Sequence, residues 1–160
     1  MRARAFTLLE LTLVLAILAI AALVIAPVLV RQSALGVRRE VRINVADLLR
    51  EARLTATRSG LPVPVRYVPA DRVLDAGARP ASVSEANWPR PVALPAGWTA
   101  WSAEIAAEFE RATIRTERPQ PVTLVVFSAQ GLASRSAWVV RGPAGEVSVS
   151  TDAIEGLRVD

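Results

Sequence analysis

The chain has 160 residues, room for one modest domain once its apolar N-terminus is set aside. Its 19 basic residues are all Arg against 15 acids, a formal charge of +4 to which Arg2 and Arg4 contribute two, so it is no polycation. It has no Cys and no His, which excludes disulfides and thiolate metal sites and removes the commonest general base and metal ligand.

The first element is an apolar run. From Leu11 to Val30 it covers twenty residues, and a helix rising about 1.5 Å per residue would span roughly 30 Å, the thickness of a bilayer's hydrocarbon core. A cleaved secretory signal has a shorter apolar region, about 7 to 15 residues, and here the small-x-small site Ala19-Ile20-Ala21 would cut through the middle of the run. Arginines stand on both sides, Arg2 and Arg4 before it and Arg31, Arg38, Arg39 and Arg42 after it, so charge counting leaves orientation open. Pro27 removes one backbone donor and crowds the preceding turn, which predicts a kink or local melting. Glu10 leads the run; a charge costs about 2.5–3.5 kcal/mol at the centre of a span and less near its end. It is either interfacial or awaits a cation.

The stretch RAFTLLELTLVLAILAIAAL, residues 4–23, resembles the class III signal of type IV pilins and pseudopilins. The resemblance implies a leader over 1–5, cut between Ala5 and Phe6 by a prepilin peptidase on the cytoplasmic side, with N-methylation of the new amine on Phe6. The family usually has Gly before the cut; this chain has Ala5. It also gives Glu10 a role in assembly, pairing with the Phe6 amine of a neighbouring subunit in a low dielectric and so fixing the axial register. Many pilins carry a Pro near Pro27. The implied setting is the bacterial inner membrane, crossed once by the helix over 6–30, with the C-terminal domain in the periplasm and the subunit filament-associated after assembly. The implied partners are the peptidase, other pseudopilins or pilins, and an inner-membrane assembly platform.

Beyond Arg31, Leu35, Val41, Val45, Leu48, Leu49, Ala52 and Ala56 recur mostly three, four and seven apart, which predicts an amphipathic continuation of the helix over 31–60. Gly60 and Pro62 supply the stop. A β-rich domain is expected over 61–160. Its first strand is Val63–Val68, where Pro64 suggests a sheet edge; a long loop follows over about 69–97. Trp88, Trp98 and Trp101 are either core and loop anchors or an exposed recognition cluster. GWTAWSA reads as a short strand and AEIAAEFERATI as either a weakly amphipathic helix or an irregular segment. PVTLVVFS, SAWVVRG and EVSVST read as strands in hairpins, and GLRVD as a last one.

This order predicts an α+β fold, one long helix on a C-terminal antiparallel sheet. With the LPAGW segment, Phe127 and Gly131 in an F-x-x-x-G pattern, and Gly156 with Val159, it is similar to the GspH/FimT family of minor pseudopilins and their pilin-like fold. That resemblance implies a subunit of a type II secretion pseudopilus supporting export across the outer membrane. The alternatives are a FimT-like minor pilin in pilus assembly or DNA uptake, with Arg135, Arg141 and Arg158 meeting phosphates, and a simple signal-anchored envelope protein. An enzyme would have to use groups such as Glu104 and Glu108, on one helical face if that segment is a helix, but surface helices carry such pairs routinely. There is no GxSxG, phosphate loop or metal-ligand spacing, so no catalytic residue, metal or cofactor is expected.

Overall fold

The computed structural model describes the backbone at residues 8–115, 117–152 and 156–160, and the side chains there except at 9, 24–34, 152, 156 and 157. It is an α+β protein whose chain divides into two units, Met1–Gly36 and Val37–Asp160. Helix α1, Leu8–Ser59, supplies residues to both and is helical at Pro27 as well as before and after it.

In the second unit the helix is one-sided. Val41, Val45, Leu48, Leu49, Ala52 and Ala56 are all buried, at offsets 4, 7, 8, 11 and 15 from Val41, the stripe that a period of 3.6 produces. Val37 extends the stripe. Leu35, expected on this face, is 64% exposed. The helix stops at Gly60, whose φ of 67° is the left-handed conformation in which its N–H reaches the Ala56 carbonyl at 3.0 Å.

Among the described residues the remaining chain forms two antiparallel four-stranded sheets, where one was expected. The first contains β1 (Val63–Val68), β2 (Val73–Asp75), β3 (Val92–Ala93) and β5 (Val122–Phe127), in the order β3-β2-β1-β5. The second contains β4 (Thr99–Trp101), β6 (Ser136–Gly142), β7 (Gly145–Asp152) and β8 (Gly156–Val159), in the order β4-β6-β7-β8. Helix α2, Ala103–Arg115, follows β4. Strands β1, β6 and β7 bury alternate residues: Val63, Val65 and Tyr67 from β1, Trp138 and Val140 from β6, Val147 and Val149 from β7. These join the α1 stripe in a single core.

Two expectations are corrected. Strand β1 is interior to its sheet, despite Pro64. Its pairing with β2 covers only residues 66–68, whereas β5 pairs along 63–67. Pro64 therefore stands where the strand has one neighbour and its missing N–H costs no ladder bond. The long loop is also broken up. Arg72, at a φ of 55°, turns the chain from β1 into β2, Arg66 pairs with Asp75 across the two strands at 3.0 Å, and a short 3-10 turn covers Glu85–Asn87 ahead of β3.

Two tight approaches hold the second sheet. A Cβ on Gly142 would lie 2.3 Å from the ring of Trp98, and one on Gly97 would lie 3.0 Å from Pro143. The indole of Trp98 thus lies against bare backbone at the β6–β7 turn, and is 1% exposed. From α1, the Arg38 guanidinium donates to the Glu146 carbonyl beyond that turn at 2.9 Å. Gly131, at a φ of 76°, closes the Ser128–Leu132 loop close to Arg53 and Thr57 of α1, with its N–H on the Ser128 carbonyl. The F-x-x-x-G pattern thus consists of a core ring, Phe127, and a left-handed turn.

Candidate functional site

The candidate assembly segment is the N-terminal part of α1. Leu8, Leu11, Leu13, Val14, Leu15, Ile17, Leu18, Ile20 and Leu23 are exposed. At about 100° per residue these positions leave no side of the helix polar, the pattern of a helix covered on all sides. Leu8 and Leu23, at 82% and 80%, mark the two ends of this described stretch. Among the described residues no helix is long and apolar enough to cross a membrane; the side chains over 24–34 lie outside those described. Glu10 is exposed in the first turn of α1, where a carboxylate favours the positive end of the helix dipole. Ala5 and Phe6 lie outside the described residues, as does the side chain of Pro27.

Of the three arginines considered for phosphate contact, Arg141 and Arg158 belong to the second sheet and Arg135 precedes it, and the three form no cluster. Arg141 stands in a rank with Thr99 and Glu146, and its guanidinium meets the Glu146 carboxylate at 3.1 Å. Arg158 is two ranks away, opposite Ser150, itself opposite Ala137. The rank between holds Trp101, Val139 and Ser148, and Ser148 exchanges backbone hydrogen bonds with Asp160. Arg135 precedes β6 and is exposed. Arg141 is thus paired, and Asp160 stands in the rank between it and Arg158.

The tryptophans separate as well. Trp98 is core, Trp88 packs partly against it, and Trp101 is 44% exposed on the outer face. Sequence reading did not find Trp101's placement; the available signal was the alternation in Thr-Ala-Trp, whose small middle residue, Ala100, faces inward.

The carboxylates of α2 have structural work. Ser102 caps the helix, its hydroxyl accepting from the Ile105 N–H at 3.2 Å. Glu104 beside it is exposed, and its own backbone N–H, with the Ser102 hydroxyl, holds its carboxyl below the usual range. Glu108 is buried and has both oxygens engaged: Oε1 accepts from the Gln120 N–H at 3.0 Å and Oε2 meets Arg111 at 2.9 Å. Among the described residues no cluster of three acids could hold a metal ion.

Tyr67 is the one group whose titration reports the core. Burial pushes its phenol above 10.0, against the smaller opposing effects of a hydrogen bond with the Ala100 backbone and the nearby Arg72 charge.

No family model, curated protein or solved structure matches the chain.

Proposed function

We propose that the protein is a minor pseudopilin, a subunit that assembles through its N-terminal helix into a type II secretion pseudopilus at the bacterial inner membrane and supports export across the outer membrane. One observation carries this reading. The same helix is apolar on every side between Leu11 and Leu23 and apolar on one buried stripe between Val41 and Ala56. A helix of that kind suits a subunit that packs its first half among lipids or other helices and its second half on its own sheets. Glu10, in the first turn, is then the counter-charge for the Phe6 amine of a neighbouring subunit, and residues 6–30 are the membrane-spanning part of the proposal. A pilin-like fold is part of the same proposal.

The deciding experiment is the intact mass and N-terminal residue of the chain recovered from membranes of a host with an active prepilin peptidase. A start at N-methylated Phe6 is expected. An intact Met1 start would overturn the reading in favour of a simple signal anchor. The reading as a DNA-uptake pilin is disfavoured by the Arg141–Glu146 pair; it predicts a salt-sensitive gel shift with duplex DNA.

A further inference from the structure

The two sheets leave a slot between them. At its closed end β5 pairs with the chain entering β6: Phe127 bridges Ala133, the Ser134 N–H donates to the Val126 carbonyl at 2.8 Å, and the Val126 N–H donates to the Ser134 hydroxyl at 2.9 Å. Past that point the strands part. Among the described residues, β5 short of Val126 is paired with β1 alone, so its other edge has no described partner along 123–125. Strand β6 loses its neighbour where β4 ends, at the Trp101–Val139 pair, because the chain turns at Ser102 into α2.

The register fixes which backbone groups face the opening. Gly142 and Gly145 close a two-residue turn, so they exchange hydrogen bonds, and alternation directs the groups of Val140, Trp138 and Ser136 toward β7. Those of Arg141, Val139 and Ala137 point the other way. The first two meet β4; Ala137 lies beyond its end. The resulting space has a volume of about 250 Å³ and is lined by β5 residues 123–125, by 134–138 and by Ser102 and Glu104. At roughly 30 Å³ per water it has room for about eight waters.

A second observation points to an occupant. Trp138 lines this space, is 3% exposed, and its Nε1 has no hydrogen-bond partner among the described residues. A buried donor without an acceptor costs about 1–3 kcal/mol. The charges that border the slot are one of each sign, Arg135 and Glu104, which favours a neutral occupant over an acidic or basic one.

We propose that this slot accepts an extended, uncharged segment of another protein, rich in Ala, Ser, Thr and Gly, which adds as a strand between β5 and β6. Strand addition draws its affinity from main-chain hydrogen bonds and its selectivity from the side chains the site admits. A segment there satisfies the open edge of β5 and the Ala137 groups, supplies a carbonyl to the Trp138 indole, and fuses the two sheets into one. Because β5 and β6 run antiparallel, it is parallel to one and antiparallel to the other. The small volume selects small side chains. This site lies wholly in the second unit and does not depend on the filament reading.

The test uses the full chain in mild detergent and a library of random seven-residue peptides, with Ala137→Pro and Trp138→Phe as variants. Proline at 137 removes an N–H that no ladder uses, and Phe keeps the ring but not its donor. Neutral, small-residue peptides are expected to be selected, to bind each variant about fivefold to tenfold more weakly, and to move the Trp138 indole N–H resonance, which Trp138→Phe identifies. If Ala137→Pro fails to fold by circular dichroism, Trp138→Phe and the resonance decide alone. Selection of no peptide, selection of charged peptides, equal binding by the variants, or an unmoved Trp138 resonance would each overturn the proposal.

Discussion

The two halves of α1 use similar residues for opposite ends. Before Gly36 the large apolar side chains with described environments, from Leu8 to Leu23, are exposed; after it, six apolar positions vanish into a core. Helix propensity does not separate the halves, since Leu, Ala and Val occur in both. What separates them is the arrangement of polar residues. Arg38, Arg39, Glu40, Arg42, Asp47, Arg50, Glu51 and Arg53 leave the second half one apolar side, whereas the first half has no polar side with which to face water. A helix is thus assigned its surroundings by what surrounds its apolar residues, more than by how many it has.

Truncation in the two halves tests this contrast most sharply. Leu49→Ala should cost about 2–5 kcal/mol by transfer loss and cavity formation, while Leu15→Ala should change unfolding free energy by less than about 0.5 kcal/mol. Denaturant titration followed by tryptophan fluorescence compares them; equal effects would mean that the first half is packed in the isolated chain. Next in size, Gly142→Ala should destabilise by about 1–3 kcal/mol, because its methyl meets the Trp98 ring. A Trp98→Leu background should reduce that penalty, a coupling that a double-mutant cycle measures.

Glu10→Ala should leave the unfolding midpoint unchanged yet reduce co-purification with partner subunits; unaltered recovery would remove Glu10 from assembly. A smaller effect concerns alkaline pH. The Tyr67 phenol is raised above its unfolded value of 10.0, so the stability it contributes is complete below pH 10.0 and is lost as pH rises through its folded value. Tyr67 is the only tyrosine, and phenolate absorbance therefore follows it directly. Tyr67→Phe should flatten the alkaline fall, and an equally steep fall would place its origin elsewhere. Smallest of all, Arg72→Gly should stabilise by less than about 1 kcal/mol, relief of the φ of 55° being offset by a freer unfolded chain. A loss of stability would mean that Arg72 contributes through its charge.

Much of the fold was legible. The stripe from Val41 to Ala56, the stop at Gly60 and the four C-terminal strands all follow from local periodicity and turn residues, while for α2 a helix was one of two readings. The misreadings share a cause. Pro64 reads as an edge signal because sequence does not reveal that β2 pairs with β1 only beyond it. The 69–97 loop hides β2 and β3 because strands of three and two residues are too short to show a period. Leu35 fits the helical spacing but is exposed, falling in the first unit while the buried stripe belongs to the second. For the candidate site, the apolar helix with Glu10 at its front was visible at once, whereas the dispersal of Arg135, Arg141 and Arg158 was not, since it depends on strand register and on the Glu146 partner.

By itself the sequence determined where the chain is helical, where it alternates, and that its N-terminal run is apolar on every side, because these are properties of neighbouring residues along one backbone. Only the tertiary structure decided that the strands divide into two sheets, that Trp98 rests on Gly142, and that β5 and β6 part at Val126 and Ser134. Those outcomes join residues far apart in the chain, and the energies that select them exist only once both partners have been brought together.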